Sequence, residues 1–124
     1  MFFNGEIVFV AGISEIKRGI KPIDKINDID AVITNLSPLK RHNIKFYFKE
    51  NSYFKGIVYV LDFMGYKLDL FYSHNLPIYD IIDGIKYQTV KDNLEYYKNT
   101  LNLYPENTKV NILSKINRLE EYLK

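Results

Sequence analysis

The sequence feature that most constrains the fold is a hairpin in the middle of the chain. Residues 56–63 and residues 66–72 are two runs rich in β-branched and aromatic side chains, and Met64 and Gly65 separate them. Two such runs joined by two residues that include a glycine predict paired antiparallel strands. An isolated hairpin is only marginally stable in water, so other strands must join it. The chain is therefore expected to fold around a β-sheet.

The sequence before the hairpin predicts three further strands and one short helix. Residues 6–11 form an apolar run typical of a buried strand, and residues 28–33 and 44–49 indicate two more strands. Ser14 is placed to cap a short helix that ends before Gly19. Predicted strands and helices that follow one another along the chain indicate an α/β architecture.

After Pro77 the sequence predicts helices. A short helical segment is expected near residues 78–82, and Thr89 with Asp92 three residues later resembles a capping box that opens a longer helix. A last helix is expected from about Thr108. The two apolar stripes are formed by Val90, Leu94, Tyr97 and Leu101, and by Ile112, Ile116, Leu119 and Leu123.

The expected architecture is thus α/β, also described as α+β: a small mixed sheet with its helices mainly on one face and a C-terminal helical extension. The 124 residues fit one domain, with residues 1–76 as the catalytic sheet core and residues 77–124 as the helical extension.

Composition excludes several classes of site and partner. The chain has 17 Lys and Arg against 15 Asp and Glu, and this formal charge of +2 is too balanced to indicate nucleic acid or an anionic membrane by bulk electrostatics. With no cysteine there is neither a disulfide nor a thiolate metal site, so a bound metal needs oxygen or imidazole ligands. No apolar run approaches the roughly 20 residues of a spanning helix. We expect a cytoplasmic protein with no membrane partner.

Three acidic residues stand out by their placement on predicted strands. Asp28 and Asp30 are two residues apart and so project from the same face of their strand, and Asp69 lies at the centre of the second hairpin arm. If that arm lies beside the strand of residues 28–33, the three carboxylates share one wall. Paired carboxylates repel unless a cation lies between them, and hard oxygen ligands suit Mg²⁺ or Mn²⁺ shared with phosphates. The spacing predicts a metal site that binds a nucleoside triphosphate.

Residues near the first predicted helix are candidates for holding the phosphates. Gly12 permits close backbone approach, and the Ser14 hydroxyl with the following amides can contact phosphate oxygens. Lys17 and Arg18 lie one turn further on and are candidate ligands of the triphosphate, although such residues are more often helix-surface charges.

The order of these features resembles the polymerase β-type nucleotidyltransferase superfamily. Its pattern is a strand, a Gly-Gly or Gly-Ser turn and helix, then Asp-hydrophobic-Asp, then a third acid on a later strand; here these are Gly12-Ile13-Ser14, Asp28-Ile29-Asp30 and Asp69. The resemblance covers roughly the first 73 residues. It looks closer to compact phage- or toxin-associated members, and to the fold of the tRNA CCA-adding enzymes, than to polymerases. The inserted Ile13 departs from the family pattern.

The resemblance implies transfer of a nucleoside monophosphate to a hydroxyl with release of pyrophosphate. In this reading Asp28 and Asp30 bridge two metal ions, and Asp69 holds the second ion or acts as a base. The acceptor remains open: tRNA or another RNA, a protein side chain or a small molecule, with a partner protein or a second copy of the chain supplying its site. The alternative is a catalytically silent module of this fold, such as an antitoxin or regulatory subunit.

Asp62 is an alternative third acid. A two-residue turn pairs Asp62 with Lys67 and Val60 with Asp69, so Asp62 lies on the same face as Asp69. Because Asp62 is opposite a lysine, we expect a cross-strand ion pair between Asp62 and Lys67 and assign the site to Asp69.

Overall fold

The computed structural model describes residues 7–22, 28–35, 37, 39, 44–50, 55–63 and 65–124. Within these residues the protein is a seven-stranded mixed β-sheet with three α-helices, which confirms the expected fold class. The strands are β1 (Ile7–Val10), β2 (Asp28–Ile33), β3 (Phe46–Glu50), β4 (Lys55–Phe63), β5 (Tyr66–Tyr72), β6 (Tyr79–Ile82) and β7 (Ile85–Gln88), and the helices are α1 (Ala11–Lys17), α2 (Val90–Thr100) and α3 (Glu106–Tyr122).

The strands lie in the order β3-β4-β5-β2-β1-β7-β6. Strand β2 runs parallel to β5, and β1 runs parallel to β7, while the other neighbours are antiparallel. In the central β4–β5 hairpin Phe63 pairs with Tyr66 and Val60 with Asp69, which confirms the expected register. The crossover that makes β2 and β5 neighbours brings the two acidic strands together.

One face of the sheet forms the main hydrophobic core. Alternate residues of the central strands are buried on this face, because side chains of a strand point to opposite faces in turn. The core consists of Ile7, Phe9, Ile29, Ala31, Ile33, Leu39, Tyr59, Leu68, Leu70 and Tyr87, with Ile13 of α1 packed against it. The other face of β2 and β5 therefore carries the residues between them, including the acids.

Helices α2 and α3 form a second hydrophobic cluster. Their buried apolar residues are those of the two expected stripes, namely Val90, Leu94, Tyr97, Ile112, Ile116 and Leu119. Ile20, which follows α1, also packs against this cluster. Leu123 is the exception: it lies beyond the last residue of α3, and its side chain is 49% exposed. No helix among the described residues is long and apolar enough to cross a membrane.

The helix expected near residues 78–82 is wrong, because this segment is the first arm of the β6–β7 hairpin. The turn residues Asp83 and Gly84 have φ angles of 52° and 78°. Positive φ at both central residues gives a turn whose twist matches paired strands, and Asp-Gly is one of the dipeptides that adopt it most readily. The sheet therefore continues to Gln88, beyond the expected boundary at residue 76.

The start of α1 differs from the sequence-based prediction, whereas the start of α2 agrees with it. Helix α1 begins at Ala11, three residues earlier than expected, so Ser14 lies inside the helix and not at its cap. Thr89 caps α2 as expected, since its hydroxyl accepts a 3.0 Å hydrogen bond from the backbone N–H of Asp92. The Asp92 carboxylate accepts from Gln88 Nε2 at 2.8 Å, which anchors α2 to β7.

Candidate functional site

The site is built on the parallel pair β2 and β5. Asp30 is directly opposite Asp69, and Asp28 is opposite Lys67, so all four side chains project from the same face of the sheet. The flanking residues of both strands, such as Ile29 and Leu68, are buried on the opposite face and fix this orientation. The strand register confirms the expectation that the three carboxylates lie on one face of the sheet. This face of β2 and β5, which carries Asp28, Asp30 and Asp69, is called the acid wall.

Asp69 is the most enclosed of the three acids. It is 6% exposed, and its Oδ1 is buried without a hydrogen-bond partner among the described residues. Its Oδ2 lies 3.7 Å from Lys67 Nζ. A buried carboxylate oxygen without a partner is costly, so this oxygen is suited to receive a ligand.

The electrostatics of the wall disfavour three negative charges. Burial, followed by repulsion from Asp69 and Asp28, raises the pKa of Asp30 to about 6. Burial also raises the pKa of Asp69, against the opposing effect of Lys67. Raised pKa values of this kind accompany buried carboxylates whose charge is poorly compensated, and such a site favours a cation.

The fit of a divalent metal rests on the donor set and on Asp69. Among the residues that the structure describes, no three His, Asp or Glu side chains stand close enough together to hold a metal ion as they are arranged. The wall nevertheless offers hard carboxylate oxygens from two adjacent strands, and one of these oxygens is buried with no hydrogen-bond partner among the described residues. Such donors fit Mg²⁺ or Mn²⁺. Asp28, Asp30 and Asp69 are the residues that would hold it.

Lys67 interacts with the acid wall and not with Asp62. Asp62 is opposite Lys67 as expected, but the ion pair that Lys67 forms within the described part of the chain is with Asp69. Asp69 and Asp28 both raise the pKa of Lys67, Asp69 more strongly. The negative potential of the wall explains why the ammonium group turns toward it. Asp62 itself is exposed at the end of β4.

Ser14 and Gly12, both predicted to contact phosphate, have different surroundings in the structure. Ser14 is 1% exposed, and its hydroxyl donates a 2.8 Å hydrogen bond to the backbone oxygen of Gln88. It holds α1 against β7 and presents no free hydroxyl. Gly12 lies in the first turn of α1, where a Cβ would come within 3.3 Å of Lys21 Nζ. The amino group of Lys21 therefore lies close to Gly12.

Lys17 and Arg18 bind the β6–β7 hairpin. Lys17 Nζ lies 2.7 Å from Asp83 Oδ2, and Arg18 donates to Asp80 Oδ2 at 3.0 Å and to the Gln88 backbone oxygen at 3.2 Å. The two cations are therefore not brought to the acid wall. Sequence reasoning missed these pairs because it assigned residues 78–82 to a helix and so did not predict the hairpin that brings Asp80 and Asp83 to α1.

Sequence reasoning also missed a cationic cluster contributed by α3. Glu15, which is 1% exposed, accepts hydrogen bonds from Arg118 Nε at 3.2 Å and from its terminal nitrogen at 2.6 Å. Lys115 Nζ lies 5.5 Å from the centre of the Tyr97 ring. Burial, opposed by Glu15 and assisted by Lys21 and Arg118, lowers the pKa of Lys115.

The charge of Asp30 also influences groups on the two C-terminal helices. Asp30 acts on the pKa of both Lys115 and Tyr97, so α3 and α2 are within electrostatic reach of β2. No local signal in the sequence could have found this proximity, because it depends on how the helical pair packs against α1.

Comparisons with models of known protein families, with curated proteins and with solved structures found no match to this chain.

Proposed function

We propose that this protein is a metal-dependent nucleotidyltransferase that moves a nucleoside monophosphate from a nucleoside triphosphate to a hydroxyl group. In this reaction the hydroxyl oxygen bonds to the α-phosphorus, the bond from that phosphorus to the bridging oxygen breaks, and pyrophosphate leaves. The observation that carries the proposal is the direct pairing of Asp30 with Asp69 on parallel strands, with Asp28 on the same face.

Two of the three acids have roles that follow from their surroundings. Asp30 lies between the other two acids in this electrostatic sense, because burial, followed by repulsion from Asp69 and Asp28, raises the pKa of its carboxylate. Asp69 offers a buried oxygen that no described residue contacts by a hydrogen bond, and this oxygen can hold a cation or accept the proton of the attacking hydroxyl. When bound, Mg²⁺ or Mn²⁺ supplies positive charge that neutralises the wall and polarises the phosphate.

Besides a bound metal ion, Lys67 is a second source of positive charge that can balance the carboxylates of the site. Its Nζ is 3.7 Å from Asp69 Oδ2, and the side chain is about half exposed. Because Asp69 is buried, the half-exposed lysine would leave it only when another cation compensates the carboxylate. Lys67 then remains near the acids and can contact an anionic substrate.

The activity is tested by incubating the purified protein with each α-labelled nucleoside triphosphate, Mg²⁺ or Mn²⁺, and total RNA or cell lysate. A labelled RNA or protein band identifies the acceptor class. Asp30→Asn protein serves as the control for contaminating activity. Labelling that is the same with wild-type and Asp30→Asn protein, or no labelling with any triphosphate and acceptor, refutes the proposal.

A second candidate function is a catalytically silent interaction module of the same fold. Two observations favour it: Lys67 already pairs with Asp69, and edge strand β3 carries exposed Phe46, Tyr47 and Phe48. Large exposed aromatic side chains on a sheet edge are typical of protein contact surfaces. The two functions are separated by equilibrium binding, because an enzyme of this kind binds a triphosphate more tightly with divalent metal, whereas a silent module shows no metal-dependent binding.

A further inference from the structure

Strand β3 is one edge of the sheet, and β4 is its neighbour among the described strands. The main-chain groups on the outer side of β3 therefore point away from the sheet. Edge strands are usually protected from pairing by proline, by a bulge or by charged residues. Residues 46–50 contain no proline, and the two charged residues, Lys49 and Glu50, stand at the end of the strand. The centre of β3 lacks this protection.

The side chains of β3 expose aromatic surface on both faces of the sheet. Phe46 and Phe48 project from one face and are 61% and 57% exposed, and Tyr47 projects from the other and is 42% exposed. The Phe46 ring lies 5.4 Å from the ring of Tyr59, which holds the strand against β4. Together the exposed rings present roughly 250–400 Å² of aromatic surface. Such a surface on a sheet edge is typical of a contact with another polypeptide strand.

The opposite edge of the sheet, β6, is less suited to pairing. It exposes Ile81, but Asp80 carries a carboxylate within the strand, and Arg18 holds this carboxylate at 3.0 Å. A charge inside an edge strand opposes the addition of another strand. Of the two edges, β3 is therefore the better candidate for an interface.

We propose that two copies of this chain associate through their β3 strands, which pair in antiparallel orientation about a two-fold axis at Phe48. A two-fold axis normal to the sheet joins two identical edges and keeps opposite residues on the same face. Phe48 is the middle residue of β3, so this axis pairs all five residues of the strand. The inference goes beyond the proposed function and does not depend on the chemistry of the acid wall.

This axis produces a register without like charges opposite each other. Phe48 pairs with itself, Tyr47 lies opposite Lys49 of the other copy, and Phe46 lies opposite Glu50 of the other copy. The apolar stem of Lys49 can cover the Tyr47 ring of the other copy. Its ammonium group can meanwhile stay near Phe71 of its own chain, where it lies 5.7 Å from the ring centre.

Neighbouring positions of the axis are less favourable. An axis at Tyr47 would place Lys45 of one copy opposite Lys49 of the other, and an axis at Lys49 would place two copies of that lysine opposite each other. Like charges directly opposite each other destabilise paired strands. Charge complementarity therefore favours the same register as the length of the strand does.

The interface is expected to be small. The aromatic surface of both copies and the paired backbones amount to about 1,000 Å², which is near the lower limit for a specific interface. We therefore expect a dissociation constant on the order of 10 µM. Tyr47 and Asp69 project from the same face, so both acid walls lie on one side of the joined sheet.

The oligomeric state is measured by sedimentation equilibrium over a range of micromolar concentrations, where the wild type should change from monomer to dimer. Phe48→Lys should weaken the dimer about tenfold or more, because it removes the central aromatic contact and places two ammonium groups opposite each other. Ile81→Lys is the matched control, since Ile81 is 64% exposed on the other edge strand. It should dimerise as the wild type does.

Single-cysteine variants test the register, because the chain has no cysteine of its own. Residues directly opposite each other in antiparallel strands have Cβ atoms about 4.5–5.5 Å apart, which is near the distance of a disulfide. Phe48→Cys should therefore form a disulfide-linked dimer under mild oxidation. Phe46→Cys is the control and should form little, since the two copies of this residue are four positions apart along the strands, roughly 13 Å.

Three outcomes overturn the inference. A wild type that stays monomeric at high micromolar concentration leaves β3 to a different protein partner. A dimer that Ile81→Lys dissociates and Phe48→Lys does not has its interface at the other edge of the sheet. Faster disulfide formation by Tyr47→Cys than by Phe48→Cys contradicts the register. Thermal unfolding checks that each variant is folded, and if Phe48→Lys is not, the Phe48→Cys crosslink decides the result.

Discussion

Replacing Asp30 by asparagine should stabilise the metal-free protein at neutral pH. The pKa of Asp30 rises from 3.8 to about 6 because of burial and of repulsion from Asp69 and Asp28. The folded protein therefore holds this proton more tightly than the unfolded chain does. The charged carboxylate destabilises the fold fully above pH 6, progressively less as the pH falls, and very little well below the unfolded pKa of 3.8.

The size of the effect follows from the shift. About two pKa units correspond to roughly 3 kcal/mol at pH 7.5, and screening by solvent at this partly accessible residue reduces the expected gain to about 1–3 kcal/mol. About one third of the gain should remain at pH 4.5. For a chain of this size each kcal/mol raises the melting temperature by roughly 3–5 °C. Thermal unfolding in EDTA at pH 7.5 and pH 4.5 measures the difference.

Asp62→Asn is the matched control for loss of a carboxylate. Asp62 is exposed on the same face, so its replacement should change the melting temperature little at either pH. Adding Mg²⁺ should raise the melting temperature of the wild type more than that of Asp30→Asn, because a metal ion stabilises only a protein that binds it. An Asp30→Asn protein that is less stable than the wild type at pH 7.5, or equally stabilised at both pH values, refutes the electrostatic reasoning.

Three further predictions concern the third acid, the buried ion pair and the second hairpin. Asp69→Asn should lower nucleotidyl transfer by about two orders of magnitude or more and Asp62→Asn far less; a fully active Asp69→Asn enzyme contradicts the site. Arg118→Met should cost about 3–5 kcal/mol in urea unfolding because it leaves Glu15 buried and unpaired, and a Glu15→Met change in the same protein should recover most of this loss. Gly84→Ala should cost about 1–2 kcal/mol because φ is 78° there, and no change in the urea midpoint contradicts that reading.

The sequence alone determined the elements whose signals are local. The apolar alternation of β2 places Asp28 and Asp30 on one face, and the two-residue turn at Gly65 fixes which residues of β4 and β5 pair. The cap of α2 at Thr89 is also local, because a hydroxyl and an amide three residues apart suffice to form it. These features depend on the backbone geometry of a few neighbouring residues, so a pattern in the sequence specifies them.

A local signal was also overlooked. The Asp83-Gly84 pair between apolar residues is a hairpin signal as clear as that at Gly65. The sequence-based interpretation favoured helix there, so it did not predict the hairpin that supplies acidic partners for Lys17 and Arg18. Once β6 and β7 form, both cations have acidic partners on the hairpin.

Only the tertiary structure decided which distant groups share the site. The parallel pairing of β2 with β5 puts Asp30 opposite Asp69, and helices α2 and α3 pack next to α1. The same packing buries Glu15 against Arg118, 103 residues later in the chain. Contacts of this kind, and the pKa shifts that follow from them, depend on burial and on charges from separate elements. No periodicity or spacing along the chain encodes them.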